Sequence, residues 1–211
     1  MHRGGIILCG GRSTRMGLAK ATLPFGPEPM LVRVARLLGE VVPRCVVVAA
    51  PQQELPTLPA GVIVARDRRE GRGPLEALAA GLSAAAEAGI DAAYVTSCDV
   101  PLLVPSFVIR MFELLGKHQI AVPREGEFHH PLAAVYRVEA LSTVERLLSE
   151  DRMRPFFLFQ ECDTREVLPA EWRDIDPSSA TLKNLNRPED YLAALAVAGM
   201  EAPADIASRL R

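Results

Sequence analysis

Long apolar runs are missing from this sequence of 211 residues. A transmembrane helix needs about 20 consecutive apolar residues, and no stretch of the chain approaches that length. The first apolar run, residues 6–9, is also too short for the hydrophobic region of a signal peptide. The sequence therefore predicts a protein with no membrane span and no secretory leader.

Cysteine is scarce as well, and the few cysteines lie far apart without a C-x-x-C pair. In a chain of this size, isolated cysteines are typical of reduced, buried thiols rather than of a disulfide framework or a zinc site. We therefore expect a cytoplasmic protein. The four are Cys9, Cys45, Cys98 and Cys162.

An excess of charge of either sign is also absent. The 24 Lys and Arg residues nearly balance the 26 Asp and Glu residues, for a formal net charge of −2. This balance argues against a nucleic-acid binder held by bulk electrostatics, but it leaves room for a local basic pocket that binds a phosphorylated small molecule. Since only Lys20, Lys117 and Lys183 supply ammonium groups, the position of each lysine is informative.

Apolar residues are plentiful, at 49%, and 211 residues suit one domain with a full core. In the first half of the chain, short β-branched runs alternate with helix patterns. This alternation predicts an α/β domain with a mostly parallel sheet. The predicted strands are 4–9, 45–50, 61–65 and 92–98, and the predicted helices are 30–38, 74–88 and 105–116.

The pattern is less regular after residue 117. No repeat or linker indicates a second domain, so we expect one domain over 1–199, followed by a tail, 200–211, that is frayed or loosely docked. In this half the predicted strands are 133–136 and 182–186, and the predicted helices are 139–148 and 188–198.

A glycine-rich loop follows the first predicted strand. Gly10 and Gly11 let the backbone approach a ligand and expose N–H groups to phosphate oxygens, while Arg15 and Lys20 supply positive charge. The spacing is neither that of a P-loop, which needs Lys directly after its second Gly, nor that of the dinucleotide fingerprint. We predict a phosphate-binding loop, and the alternative is a tight turn with solvated arginines.

Two carboxylates end predicted strands at the edge of the sheet where ligands of α/β domains bind. Asp99, beside the phosphate loop, is placed to hold Mg²⁺, which takes few protein oxygens and keeps phosphate ligands. Its alternative role is a turn cap before Pro101. Asp67 either contacts the nucleotide or belongs to a solvated charged pair.

Two further segments have competing interpretations. The helix start at Gly73, Pro74 and Leu75 presents free N–H groups that favour anionic or carbonyl acceptors, or it is a plain helix start. Asn184 and Asn186 alternate onto one face of a predicted strand. Their amides bind substrate or a metal there, or they make local turn and cap bonds to the backbone.

The motifs follow one another in a specific order along the chain. They are Leu8-x-Gly10-Gly11-x-Ser13-x-Arg15-Met16-Gly17, Lys20, Leu23-Pro24-Phe25, Pro29-Met30-Leu31, Gly73-Pro74-Leu75, Cys98-Asp99-Val100-Pro101, His130-Pro131-Leu132 and Asn184-x-Asn186-x-Pro188-Glu189-Asp190. This series covers nearly the whole chain. It resembles the signature of the nucleotidyltransferase family that includes molybdenum cofactor guanylyltransferase, the MobA type.

The resemblance implies a three-layer α/β sandwich of the Rossmann-like nucleotide-diphospho-sugar transferase fold, with a nucleotide-binding half over about 1–117 and an acceptor-binding half over about 118–199. It implies Mg²⁺-dependent transfer of GMP from GTP to the phosphate of molybdenum-bound molybdopterin, with release of pyrophosphate. GTP and molybdenum-molybdopterin are then the small-molecule substrates. Transient contact with molybdenum-insertion proteins or apo-molybdoenzyme chaperones is also implied, without nucleic acid or membrane.

The resemblance also assigns roles to residues. Arg15 and Lys20 would brace the triphosphate and Asp99 would hold Mg²⁺, which makes these three the implied catalytic residues. His130, Asn184 and Asn186 would face the acceptor, although His130 also suits a packed position before a strand. The implied nucleotide-binding residues are Leu8, Cys9, Gly10, Gly11, Arg15, Lys20, Asp67, Gly73, Pro74, Leu75 and Asp99.

Two departures from the family pattern concern the base. Cys9 stands where these enzymes usually have alanine, and no asparagine occurs around Ala49 and Ala50, where the guanine users carry one. Gly10 favours guanine, because the absent Cβ leaves room for a purine, whereas the cytosine users tend to have alanine there. The alternatives are molybdopterin cytidylyltransferase, a sugar- or isoprenoid-phosphate nucleotidyltransferase, or a nucleotide-binding module without transferase activity.

Overall fold

Buried apolar strands form a central sheet in the computed structural model of the protein, which describes residues 1–10, 19–67 and 73–209. In that part of the chain, no helix combines the length and the apolar character needed to cross a membrane. The strands are β1 (Arg3–Leu8), β2 (Pro24–Phe25), β3 (Glu28–Pro29), β4 (Cys45–Ala49), β5 (Ile63–Arg66), β6 (Ala92–Ser97), β7 (Ile120–Glu125), β8 (Phe128–His129), β9 (Ala133–Arg137) and β10 (Thr164–Val167). The helices are α1 (Met30–Gly39), α2 (Pro74–Glu87), α3 (Pro105–Leu115), α4 (Leu141–Ser149), α5 (Pro155–Glu161), α6 (Pro188–Val197) and α7 (Ala204–Arg209).

The central sheet is parallel except at one main strand. Its order is β10-β7-β9-β6-β1-β4-β5, and the short β8 pairs with β7. β1 runs parallel to both β4 and β6, β4 parallel to β5, and β7 parallel to β10. β9 is antiparallel to both of its neighbours, β6 and β7. The predicted α/β class with a mostly parallel sheet is confirmed.

Successive side chains along β1 and Cys9 point to opposite faces of the sheet and belong to two separate hydrophobic cores. Ile6 and Leu8 pack in the core under α2 and α4, whereas Ile7 and Cys9 pack in the core under α1 and α3. Helices therefore cover both faces of the sheet, which confirms the expected three-layer sandwich. Gly81 brings α2 close to the sheet, because a Cβ there would lie 2.6 Å from Ile6 Cγ2.

The second half of the chain differs from the prediction in several places, because β8, α5 and β10 were not predicted either. Residues 182–186 are not a strand, since a 3₁₀ turn, Ala180–Leu182, is followed by irregular backbone. The sequence also fails to predict β7. That strand contains Pro123, and a proline is unfavourable inside a sheet because it lacks an N–H donor.

The residues after Gly199 are better ordered than the predicted tail. They include α7, and Ile206 is buried in a third apolar cluster with Leu23, Phe25 and Tyr191. Ile206 is the buried contact of this segment, whereas its other side chains over 201–209 are exposed or half-buried. This segment packs against the chain that follows Lys20.

Candidate active site

The carboxyl end of β6 carries Asp99 next to the end of β1. The two strands are in register up to Leu8 opposite Ser97, and the N–H of Cys98 donates to the carbonyl of Leu8 over 3.1 Å. Asp99 follows directly and is 6% exposed. Its carboxylate therefore lies at the edge of the sheet from which the glycine-rich segment starts, where α/β domains bind ligands.

Lys20 contacts this carboxylate. Its Nζ donates to Asp99 Oδ2 over 2.6 Å and to Asn186 Oδ1 over 2.9 Å. The side chains of Lys20 and Asp99 are only 17% and 9% exposed, so solvent ions screen their attraction weakly. Lys20 starts a 3₁₀ turn, Lys20–Thr22, which holds the base of its side chain in place.

Asn184 binds the other oxygen of Asp99. Its Nδ2 donates to Asp99 Oδ1 and to Ser97 Oγ, each over 2.9 Å. The Ser97 hydroxyl also donates to Asp99 Oδ1, and the N–H of Leu185 donates to the Asp99 carbonyl over 2.9 Å. The structure thus brings both predicted asparagines to the predicted lysine and carboxylate, from irregular backbone rather than from a strand.

Sequence reasoning missed Asp176, which fixes the segment that carries the two asparagines. Its carboxylate is 2% exposed and accepts hydrogen bonds from the N–H groups of Ala180 and Thr181, over 2.8 and 2.9 Å. Thr181 Oγ1 accepts the N–H of Val104 over 3.1 Å, which ties the segment to the start of α3. The available signal is the Asp-Pro-Ser-Ser run at 176–179, a sequence typical of turns.

Asp67 lies just beyond β5, opposite Gly10. Burial, with a smaller contribution from the charge of Glu76, raises the pKa of the Asp67 carboxyl to about 6. Its Oδ1 is buried and has no hydrogen-bond partner in the described part of the chain. A Cβ on Gly10 would lie 3.0 Å from Asp67 Oδ2. The pair therefore forms a narrow polar slot that accepts a ligand with a hydrogen-bond donor.

Gln53 is a second residue that sequence reasoning missed. Its Nε2 donates to the carbonyl of Cys9 over 3.2 Å, and its Oε1 accepts the N–H of Ala50 over 3.1 Å. Arg66 donates to the carbonyls of Ala50 and Gln53, over 2.9 and 2.8 Å. The Gln53 amide thus joins the ends of β1 and β4, next to the position where the guanine users carry asparagine. The sequence signal is weak, because two glutamines after Pro51 look like a polar turn.

Two thiols lie directly after the ends of β1 and β6. Cys9 and Cys98 are both buried, and a hydrogen bond between their side chains together with burial raises the pKa of Cys98. A raised pKa keeps the Cys98 thiol protonated and poorly reactive, which does not suit a nucleophile. All four cysteines are free and buried, which confirms the prediction from their spacing.

The predicted helix start contributes backbone groups. Gly73 has a φ of +84°, a conformation that favours glycine, and Pro74 is the first residue of α2. Leu75 is fully buried, so its side chain belongs to the core and only its N–H is placed for a ligand. The predicted residues Gly11 and Arg15 lie outside the described residues.

His130 lines a cavity on the acceptor side of the predicted division. The cavity has a volume of about 170 Å³. Asn184, which contacts Asp99, belongs to the same lining, so the cavity adjoins the carboxylate. The residues that shape it include Phe128, His130, Pro131, Leu132, Leu182 and Asn184.

The donor atoms around Asp99 fit a hard divalent cation. Carboxylate and amide oxygens are suitable ligands, and Mg²⁺ usually takes one or two protein carboxylates and completes its shell with water and substrate phosphates. Over residues 1–10, 19–67 and 73–209, no group of three or more His, Cys, Asp or Glu side chains is placed to enclose a metal. A cation at Asp99 would therefore be shared with a nucleotide.

A lysine–carboxylate pair at the ligand-binding edge of a three-layer α/β fold suits a nucleotidyltransferase, because the ammonium can bind phosphate and the carboxylate a divalent cation. The MobA-like NTP transferase domain matches residues 5–164, more than half of the chain. The chain belongs to this family, as the order of its motifs predicted.

Two relatives that align with most of this chain are both described as probable molybdenum cofactor guanylyltransferases. A probable molybdenum cofactor guanylyltransferase from Mycolicibacterium paratuberculosis is 36% identical over 198 residues, which cover 92% of this chain and 95% of that protein. One from Mycobacterium tuberculosis is 36% identical over 179 residues, covering 81% and 86% respectively.

Solved structures share the fold. Molybdopterin-guanine dinucleotide biosynthesis protein A from Archaeoglobus fulgidus is similar with a TM-score of 0.76 at 17% identity, over 93% of this chain and 98% of that chain. The 2-C-methyl-D-erythritol 4-phosphate cytidylyltransferase from Thermus thermophilus is similar with a TM-score of 0.63 at 18% identity, over 93% and 98%. At these identities the likeness concerns the fold alone.

Proposed function

We propose that this nucleotidyltransferase transfers GMP from GTP to the phosphate of molybdenum-bound molybdopterin, forming the guanine dinucleotide cofactor and releasing pyrophosphate. The observation that carries the proposal is the contact between Lys20 and Asp99 at the ligand-binding edge of the sheet. It occurs in a chain that is 36% identical to a probable molybdenum cofactor guanylyltransferase.

The reaction needs charge placement more than proton transfer. A phosphate monoester is already an anionic nucleophile at pH 7, so no general base is required. Catalysis then rests on positioning the two substrates and on neutralising charge on the α-phosphate and the leaving pyrophosphate.

Lys20 is suited to hold a phosphate oxygen. An ammonium has three N–H donors, and Asp99 and Asn186 accept two of them. These are its two acceptors in the described part of the chain, so the third donor is proposed to bind the triphosphate. Arg15, on the glycine-rich segment, is proposed to act on the same phosphates, because a guanidinium binds phosphate through two parallel hydrogen bonds.

Asp99 is proposed to hold Mg²⁺ through Oδ2, the oxygen that contacts Lys20, and Asn186 Oδ1 contacts the same ammonium. The ion supplies positive charge to the phosphates when it is bound. Ser97 and Asn184 orient the carboxylate by donating to Oδ1, so the direction of its second oxygen is set before any ligand arrives.

The nucleotide is proposed to lie over the ends of β1, β4 and β5. The absence of a Cβ at Gly10, 3.0 Å from Asp67 Oδ2, supports a close approach of the base. Asp67 Oδ1 has no partner among the described residues, which supports a contact with a hydroxyl or N–H of the nucleoside. Backbone groups of the remaining predicted residues complete the contact. They are Leu8, Cys9, Gly11, Gly73, Pro74 and Leu75.

The second half of the chain is proposed to bind the acceptor, with the division near residue 117. His130 and Asn184 share a cavity next to Asp99, which supports this arrangement. The product would pass to molybdenum-insertion proteins or apo-molybdoenzyme chaperones. Four buried, unpaired thiols support a reducing, cytoplasmic location for these steps.

The experiment supplies molybdenum-molybdopterin with GTP, CTP, ATP or UTP in turn and measures pyrophosphate and the dinucleotide formed. We expect GTP to be preferred at least about tenfold, or about 1.4 kcal/mol. A base site that pairs the edge of guanine rejects other bases, because their groups leave buried polar atoms unmatched. A preference for CTP would instead assign cytidylyl transfer. No turnover with any of the four would contradict the acceptor.

A further inference from the structure

An exposed phenylalanine stands beside the cavity that adjoins Asp99. Phe128 is 64% exposed and is the first residue of β8, which pairs with the end of β7 through Glu125 opposite Phe128. Removal of an apolar side chain from water by a bound ligand is favourable. Phe128 also lines the cavity, so a ligand that enters the cavity would cover it.

The cavity lies at the same edge of the sheet as the active-site carboxylate. β9 is antiparallel to β6, and Ala133, its first residue, pairs with Thr96 near the carboxyl end of β6. The residues just before β9 therefore reach the edge that carries Asp99. Asn184 completes the connection, because it lines the cavity and donates to Asp99 Oδ1 over 2.9 Å.

The size and lining of the cavity suit a planar ring. Its volume of about 170 Å³ compares with an engineered cavity of about 150 Å³ that binds benzene. Pro131, Leu132 and Leu182 provide apolar contact, and Asn184 places a polar group at the side near Asp99. A bicyclic heteroaromatic system would fill this space with one edge open to the phosphate-binding residues.

His130 adds an unmatched polar atom to the aromatic wall. The rings of Phe128 and His130 are edge-to-face, with centroids 4.9 Å apart and an interplanar angle of 80°. The Nε2 of His130 is buried and has no hydrogen-bond partner in the described part of the chain. It lies 3.3 Å from Glu125 Oε2. Burial lowers the pKa of His130, so the ring is neutral at pH 7.

We propose that Phe128 and His130 form the wall that binds the planar pterin ring of the acceptor, with Phe128 stacking on the ring. This inference rests on the proposed function and names the ring subsite of its acceptor. Stacking on an aromatic side chain is a general way to hold a heteroaromatic ring, and it does not depend on hydrogen bonds to the edge of the ring. The acceptor phosphate would then extend past Asn184 toward Asp99 and Lys20.

The test compares Phe128→Ala and Phe128→Tyr with a matched control, Phe156→Ala. Phe156 is a half-exposed phenylalanine, 50% accessible, outside the cavity lining. We expect Phe128→Ala to raise the KM for molybdenum-molybdopterin about tenfold with kcat and GTP affinity unchanged. Phe128→Tyr should restore the wild-type KM, because a phenol ring still stacks, and Phe156→Ala should leave it unchanged.

A second measurement does not depend on transfer. Binding of 6-hydroxymethylpterin to the full chain without nucleotide is followed by quenching of pterin fluorescence, and the loss of Phe128 should weaken it about tenfold. Equal binding by wild type and Phe128→Ala, or no binding to the wild type at millimolar pterin, overturns the inference. Phe128-dependent pterin binding in a chain that transfers no nucleotide would uphold the pocket and contradict the proposed function.

Discussion

Lys20 and Asp99 are separated by 79 positions in the chain, yet Lys20 Nζ lies 2.6 Å from Asp99 Oδ2. Each is the other's counter-ion inside a largely buried site, and removal of either leaves an uncompensated charge there. The two residues therefore need different controls when their roles are tested.

Asp99→Ala should abolish nucleotidyl transfer while the fold persists, because the carboxylate serves charge and the cation rather than packing. Asp99→Asn keeps the shape and should be equally inactive. The measurements are pyrophosphate release with varied Mg²⁺ and the urea midpoint of unfolding. Substantial Mg²⁺-dependent turnover in a folded Asp99→Ala protein would refute the metal assignment.

Lys20→Ala should lower kcat about 10²-fold or more, as the loss of other preorganised charge-stabilising donors does. Lys117→Ala, which removes an exposed lysine, is the control and should leave the rate unchanged. Single-turnover kinetics with GTP separates chemistry from product release. If both variants transfer GMP at the wild-type rate, Lys20 is a structural partner of Asp99 only.

Asn186→Ala should impair transfer more than GTP binding, because the predicted role of Asn186 is on the acceptor side. The structure adds a competing expectation, since Asn186 contacts Lys20 and Asn184 contacts Asp99. Calorimetric GTP affinity and kcat are to be measured for both alanine variants. Equal losses of GTP affinity and kcat in Asn186→Ala would assign Asn186 to the nucleotide or metal site. No loss of either would leave it with a structural role, in turn or cap bonds to the backbone.

Asp67 should make the protein less stable as pH rises from about 4 to 6. Its pKa is about 6 in the folded state against an ordinary value of 3.8. The unfolded chain releases this proton first, so the stabilisation from the neutral carboxyl is complete below pH 4 and is lost by the time pH passes 6.

The measurement is the free energy of unfolding of wild type and Asp67→Asn across that range. Above pH 6, Asp67→Asn should have a larger free energy of unfolding than wild type. This difference should develop between pH 3.8 and about 6, the ordinary and the folded-state pKa values of Asp67. Glu54→Gln, which changes an exposed carboxylate, is the control. A pH-independent difference between Asp67→Asn and wild type would contradict the shift.

The local sequence pattern predicted the main strands and helices of the first half of the fold, but not the short β2–β3 pair. The predicted helix 30–38 is α1 at Met30–Gly39, and the predicted strand 92–98 is β6 at Ala92–Ser97. Each combines a strong apolar period with a clear stop, which is why single-sequence reasoning succeeds there. The edge position of β5, whose Val64 is 44% exposed, was not evident, because pairing partners are not encoded locally.

The site was predictable in part. Asp67 and Asp99 each follow a predicted parallel strand, so topology alone places both at the edge of the sheet formed by the carboxyl ends of the strands. The positions of Asn184 and Asn186 could not, because the segment takes its shape from Asp176 and from the Leu185 N–H bond to Asp99. Those contacts join distant parts of the chain, and a periodic pattern of apolar residues in the local sequence cannot predict them.

The distance along the chain between Lys20 and its second partner has a consequence for synthesis. Asn186 comes 166 positions after Lys20, and chains grow at about 5–20 residues per second. Roughly 8 to 33 seconds therefore pass before the ribosome has made both members of the pair. During that interval the nucleotide-binding strands can fold, while Asp99 lacks Asn184 and Lys20 lacks Asn186. A nascent chain therefore carries an incomplete site until the segment with Asn184 and Asn186 has emerged.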